Sequence, residues 1–275
     1  MESKADWLSI LLECKQNVLK HVCPLLKTQK DPQPDLGTGA GGDKMKLVDL
    51  SAEKAIIEIL LQHDVSFTLV SEESGIKEYG DEPESCYVTV DPIDGTTNLV
   101  RGLPFFCSSI AVSGKPLLSD VCAGMVADLF HGTTYTAARG KGAFRDGAKI
   151  STSTVASLSE AVIGLDLNTY KDKQIAPRLS ELIQETKHIR HFGANALELC
   201  FVADGLTDAF VDIRGKLRTT DVAAGFLILK EAGGTISTID GDPVEATLDP
   251  KNTLMFVASG NSQIHKEILS LIKPK

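Results

Sequence analysis

Tyr87-Val88-Thr89-Val90-Asp91-Pro92-Ile93-Asp94-Gly95-Thr96-Thr97-Asn98 packs more local instruction than any other segment of this chain. The β-branched, apolar run through Val88 and Val90 reads as a buried strand. It ends in Asp91, turns at Pro92, and presents Asp94 three residues on. Gly95, Thr96 and Thr97 then fit the opening of a helix. Two carboxylates at a strand end, beside backbone N–H groups, suit a hard divalent cation and a phosphate held together. The same residues also fit a tight turn at Asp94-Gly95 with the aspartates as caps. From these residues alone both readings stand.

Working outward, composition narrows the classes. The chain has 275 residues, enough for one large domain or two lobes sharing a core. Its hydrophobic content of 43% and charged content of 24% are those of a globular protein. A formal net charge of -9 argues against nucleic acid or an anionic membrane as a partner. It leaves room for a small anionic substrate, because a bound cation reverses the local field. No apolar run approaches the ~20 residues that span a bilayer. The first residues lack a secretion signal, which sets a cytoplasmic expectation. Cys14, Cys23, Cys86, Cys107, Cys122 and Cys200 are scattered without a CxxC pair and read as reduced, mostly buried thiols. A zinc site is not expected.

Upstream, Trp7, Leu8, Leu11, Leu12, Val18, Leu19 and Val22 recur at helical spacing over residues 4–22, with Cys14 on the same face. Pro24 marks the expected stop. Residues 31–42 hold Pro32, Pro34, Gly37, Gly39, Gly41 and Gly42, a loop whose position between two helices suits a flap over a site. Val48, Ala52, Ala55, Ile56, Ile59 and Leu60 line the second helix. Phe67 to Val70 is a short strand running into Glu72-Glu73-Ser74. Adjacent glutamates are ordinarily a solvated turn, but Glu72 and Asp91 each follow a strand and can meet at one sheet edge. Segments 106–112, 118–126 and 133–138 have strand character, with His131-Gly132 as a turn. Helices followed by strands make an α+β lobe over residues 1–150.

Downstream of the turn-rich Gly140 to Gly147, elements alternate. Residues 161–165, 207–211 and 254–258 read as strands; 175–183, 196–203, 222–231 and 264–272 read as helices. That is an α/β lobe, residues 151–275, with a mixed sheet. Asp221 stands immediately before Val222-Ala223-Ala224-Gly225, at the expected N-cap of a helix. The small residues behind it favour close helix–strand packing, which turns its carboxylate towards the crevice of Asp91.

Taken together, Glu72-Glu73-Ser74, the octapeptide Asp91 to Asn98, and Asp221-Val222-Ala223-Ala224-Gly225 resemble the successive motifs of the inositol monophosphatase family, magnesium-dependent phosphomonoesterases. The likeness runs from the paired N-terminal helices to Glu231-Ala232-Gly233-Gly234 and the last strand. The segment Phe210 to Arg218 and the glycine-rich loop are most similar to archaeal members, which commonly hydrolyse both fructose 1,6-bisphosphate and inositol monophosphate. The fold implied is a layered α-β-α-β-α sandwich, the sugar phosphatase fold, with an antiparallel N-terminal sheet.

Residue by residue, the resemblance implies that Glu72, Asp91, Asp94, Asp221 and the Ile93 carbonyl ligate two or three Mg2+ ions. Converging carboxylates repel and raise one another's pKa, so accompanying cations make physical sense. Gly95 and Thr96 would bind phosphate through backbone N–H groups. Asp49, Thr96 and Glu72 are the expected catalytic residues, Asp49 and Thr96 orienting a cation-activated water for direct in-line attack. Gly193, Ala194 and Asn195 correspond to a substrate-lining turn. Asp212 sits where other members contact substrate hydroxyls; Arg214, with Lys216 and Arg218 nearby, is the candidate for a second phosphate. The chain departs from many members in having Thr220, not tryptophan, before Asp221. A homodimer acting on a small phosphorylated sugar or polyol is implied. Two other readings are a 3′-phosphoadenosine 5′-phosphate phosphatase and a non-catalytic metal- or phosphate-binding regulator.

Overall fold

The computed structural model describes residues 6–26, 36–168 and 171–272. Helix α1 (Trp7–Leu26) runs beyond Pro24, whose missing N–H deletes one bond near the helix end without stopping it. Leu11, Cys14, Val18 and Val22 are fully buried, whereas Leu12, assigned to the same stripe from sequence, is exposed. Helix α2 (Leu47–Gln62) lies beside α1. Residues 31–35 of the glycine-rich loop, and residues 4 and 5 of the first helical run, fall outside the described residues.

The first sheet contains β1 (Phe67–Ser71), β2 (Gly75–Tyr79), β3 (Tyr87–Asp94), β4 (Cys107–Ser113), β5 (Val121–Asp128), β6 (Thr134–Ala138), β7 (Gly142–Arg145) and β8 (Ala148–Lys149). Their order is β2-β1-β3-β4-β5-β6-β7-β8. All neighbours are antiparallel except β1 and β3, which run parallel. That exception matters, because parallel strands bring their C-terminal ends to one edge. A short helix α3 (Thr96–Arg101) follows β3 directly.

The second sheet is built from β9 (Val162–Leu165), β10 (His188–Arg190), β11 (Ala209–Arg218), β12 (Thr235–Ser237) and β13 (Thr253–Ser259), in the order β10-β9-β11-β13-β12. It is mixed, as its alternation with helices foretold: β10, β9 and β11 are parallel, and β13 runs against β11 and β12. The helices of this half are α4 (Ile175–Glu185), α5 (Asn195–Ala203), α6 (Thr219–Glu231) and α7 (Ser262–Leu271).

Alternating strand faces sort the apolar side chains into layers. Val88, Val90, Ile110 and Met125 pack with α1 and α2. Val126, Tyr135 and Ala137 face the other way and share a core with Leu199 of α5, Ile228 of α6, and Phe210 and Phe256 of the second sheet. Ile163, Val211 and Val257 cover the far face with Leu179 and Ile268 of α4 and α7. The result is the α-β-α-β-α sandwich. Full burial of each such Leu, Ile or Phe contributes about 1.5–3 kcal/mol. Where α5 and α6 cross, Gly225 permits the approach: a Cβ there would stand 2.8 Å from Leu199 Cβ.

Candidate active site

The register of β1 on β3 pairs Ser71 with Val90, and the Glu72 N–H donates to the Val90 carbonyl at 3.3 Å. Glu72 and Asp91 therefore emerge at the same level of one sheet edge, as expected from their strand-end positions. The first turn of α6 delivers Asp221 to them. One carboxylate oxygen from each of Glu72, Asp91 and Asp221 lies within 4.8 Å of the others. Asp94 stands beside this trio. Its Oδ2 accepts the Ala196 N–H of α5 at 2.6 Å and the Cys107 thiol at 3.7 Å.

Asp221 is not the N-cap of its helix. The helix starts earlier, at Thr219, and Asp221 occupies its third position, where Oδ2 accepts the Arg218 N–H at 2.9 Å. Asp49 repeats the arrangement in α2, its Oδ2 accepting the Lys46 N–H at 3.2 Å. This back-bond satisfies one orphan donor of the helix start and leaves the second carboxylate oxygen for other work. In Asp49 that oxygen receives the Thr96 hydroxyl at 3.4 Å, and Thr96 Oγ1 also lies 2.9 Å from the Ile93 carbonyl.

The electrostatics point to a cation. Burial, then the charges of Glu72, Asp221 and Asp94, hold Asp91 well above the usual carboxylate range. Burial and Asp221 push Glu72 up to about 8, and the same pair of causes raises Asp94 to about 7. Asp221 is raised by its burial. Asp91 Oδ1 is buried and has no hydrogen-bond partner among the described residues. An oxygen-only donor set with an orphaned carboxylate oxygen fits a hard divalent ion, and Mg2+ among them.

Next to the trio, Gly95 takes φ +85°, and a Cβ there would stand 2.8 Å from the Phe105 carbonyl. Only glycine makes this corner. The first α3 bond is Leu99 N–H to the Gly95 carbonyl at 3.0 Å, so the N–H groups of Gly95, Thr96 and Thr97 precede it. The turn Gly193-Ala194-Asn195 is brought to this corner, with Ala194 Cβ 3.2 Å from the would-be Gly95 Cβ. Asn98 pins the two turns together, its Nδ2 donating to the carbonyls of Phe105 at 2.8 Å and Phe192 at 2.6 Å.

The specificity residues fare differently. Asp212 is completely buried, and the Arg214 side chain is 4% exposed. Arg214 Nε bonds both Asp212 oxygens at 3.1 Å, and Nη2 bonds Asp212 and, at 2.6 Å, Asp166 Oδ2. Asp212 and Arg214, expected from sequence to meet substrate hydroxyls and a second phosphate, are here joined with Asp166 in an internal ion-pair network. Arg218 instead enters the cluster. Its Nη1 bonds Glu72 Oε1 at 2.7 Å, its Nε bonds the Gly41 carbonyl at 3.0 Å, and Nη2 pairs with Asp43. Residues 39–43 of the glycine loop are thereby laid against Glu72 and Glu73.

Sequence reasoning missed Glu53, Asp166 and Glu198. Glu53 is buried on α2 and accepts the Ser71 hydroxyl and the Ser74 N–H, bracing the turn that carries Glu72. Glu198, pushed to about 8 by burial and Asp166, accepts the Gly193 N–H at 3.3 Å. An acidic residue on the apolar face of a helix was the available signal for both.

A profile of the inositol monophosphatase family matches residues 7–274. The fructose-1,6-bisphosphatase/inositol-1-monophosphatase of Methanothermobacter thermautotrophicus is 34% identical over 97% of this chain and 96% of its own length. The bifunctional NADP phosphatase/NAD kinase of Methanococcus maripaludis is 32% identical over 97% of this chain, which spans 49% of that longer protein. A solved inositol monophosphatase–fructose 1,6-bisphosphatase structure superposes with a TM-score of 0.85 at 29% identity, over 97% of this chain and 100% of that one. The chain belongs to the inositol monophosphatase family.

Proposed function

We propose that this chain is a Mg2+-dependent phosphomonoesterase acting on small sugar or polyol phosphates, with fructose 1,6-bisphosphate and inositol monophosphate as the leading substrates. The observation that carries the reading is the convergence of Glu72, Asp91 and Asp221 beside the Gly95–Thr97 corner. Glu72, Asp91, Asp94, Asp221 and the Ile93 carbonyl would hold the cations. When bound, Mg2+ supplies charge neutralisation for the phosphoryl group and the leaving oxygen and makes water more acidic.

The protein's own groups do the rest. Backbone N–H groups of Gly95 and Thr96 orient the phosphate. Thr96 Oγ1 positions the attacking water and passes its proton towards Asp49 Oδ1. Burial lifts Asp49 to about 6, closer to neutrality than an exposed aspartate and better matched to accepting that proton. The Gly193-Ala194-Asn195 turn lines the substrate side. A cytoplasmic homodimer belongs to the same reading and rests on the family alone.

A second reading has a specific observation behind it: the Methanococcus relative aligned over nearly all of this chain is an NADP phosphatase/NAD kinase. With Arg214 sequestered, a nucleotide 2′-phosphate is a substrate to set beside the bisphosphate. The test is phosphate release from fructose 1,6-bisphosphate, inositol 1-phosphate, 3′-phosphoadenosine 5′-phosphate and NADP+, with and without Mg2+. Turnover of the first two is expected only with Mg2+, and Asp91→Asn should reduce it on the order of 100-fold or more while the protein stays folded. Undiminished activity of Asp91→Asn sinks the assignment, and preference for NADP+ selects the second reading.

A further inference from the structure

Strand β4 places a donor opposite each aspartate of β3. Cys107 pairs with Asp94 in the strand register, and its thiol donates to Asp94 Oδ2 at 3.7 Å. Ser109 pairs with Asp91. Cys107 and Ser109 stand two apart on β4 and so share a face, and a register shift between Asp91 and Asp94 keeps each aspartate opposite its donor. Val88 and Val90 pack towards α1 and α2, while Cys107 and Ala111 belong to the core shared with α5 and α6. Asp91 and Ser109 therefore face α6, whose first turn carries Asp221.

Directly opposite residues of antiparallel strands hold their Cβ atoms about 4.5–5.5 Å apart, so a serine hydroxyl and an aspartate oxygen are within reach of each other by side-chain rotation. Ser109 and Asp91 are 1% and 2% exposed. Neither Ser109 Oγ nor Asp91 Oδ1 has a hydrogen-bond partner among the described residues. Two buried polar atoms on facing side chains, each costing about 1–3 kcal/mol while unmatched, call for an explanation.

We infer that Ser109 is a positioning residue for Asp91 in the cation-loaded protein: there its hydroxyl, unmatched in the structure, donates to Asp91 Oδ1 and holds the other carboxylate oxygen towards Glu72 and Asp221. The inference rests on the reading of Asp91 as a cation ligand. An outer hydrogen bond of this kind fixes ligand orientation, and its loss typically costs 10–100-fold in cation affinity. Ser108 supplies an internal comparison. It is also buried with an unpartnered hydroxyl, but alternates onto the opposite face with Ile110.

The experiment is thermal unfolding of the full chain across a Mg2+ titration, for wild type, Ser109→Ala and Ser108→Ala. Without cation, Ser109→Ala should melt at or above the wild-type temperature, because an unmatched hydroxyl has been removed. It should need about 10–100-fold more Mg2+ for the same stabilisation. Ser108→Ala should keep the wild-type Mg2+ midpoint. A wild-type midpoint in Ser109→Ala overturns the inference, and so does a lowered cation-free melting temperature with an unchanged midpoint, which marks a merely structural serine. A wild-type protein that Mg2+ does not stabilise at all overturns the cation reading and this inference with it.

Discussion

Arg218 Nη1 and Glu72 Oε1 meet at 2.7 Å although 146 residues separate them in the chain. The acidic cluster thus carries a built-in counter-charge, supplied by the residue just before α6. The same guanidinium reaches the Gly41 carbonyl and Asp43, so one side chain ties together the cluster, the helix start and the glycine loop.

Replacing it should loosen all three. Arg218→Ala is expected to cost about 1–3 kcal/mol of stability. Hydrogen exchange should accelerate at the amides of Gly39, Ala40 and Gly41, which bond the carbonyls of Asp43, Glu73 and Glu72. Arg218→Lys should not restore protection, because a single ammonium cannot span three partners. Exchange mass spectrometry with urea unfolding checks both.

Stability without cation should fall as pH rises. Glu72 sits at about 8 in the folded protein, and Glu73 and Asp94 at about 7, against roughly 4 in an unfolded chain. Between about pH 4.5 and 8 the folded form holds the extra protons, so each raises stability at the acid end and surrenders it through the folded pKa, at up to ~1.4 kcal/mol per pH unit. Divalent cation binds the deprotonated carboxylates and should flatten the slope. Melting temperatures from pH 5 to 8.5, with chelator and with Mg2+, make the comparison.

Arg214→Ala should destabilise by about 3–5 kcal/mol, because it leaves Asp166 and Asp212 buried without their cation. Turnover of fructose 1,6-bisphosphate and inositol 1-phosphate should then decline together. A loss confined to the bisphosphate would return Arg214 to substrate binding.

That arginine shows what a sequence conceals. The cluster was legible because its chemistry is written in short local motifs: Asp91 and Asp94 share one strand end, and Glu72 follows another. Arg214 reads as a candidate for a second phosphate, and its internal partner shows only when β9 and β11 lie side by side and bring Asp166, 48 positions earlier, against it. The long elements were equally plain, since α2 and β3 each repeat an apolar period. The strands that escaped notice are short or at edges. β2 shows mostly polar, exposed residues, and β7 begins inside a glycine-rich stretch that reads as turn. Helix α6 was legible except for its start, because Thr219 and Thr220 give no apolar signal although both are buried.

Helix α6 also lies between the two sheets, in contact with strands of both and with α5. Its flank meets the first sheet where Ala224 backs onto Gly124, its other side meets α5 at Gly225, and its first turn ends in the carboxylate cluster. It works as a keystone. An arch with one keystone does not come down by halves, so heat or denaturant should release both sheets in a single step. Cation at the cluster should then delay the collapse of the whole sandwich, including strands on its far side.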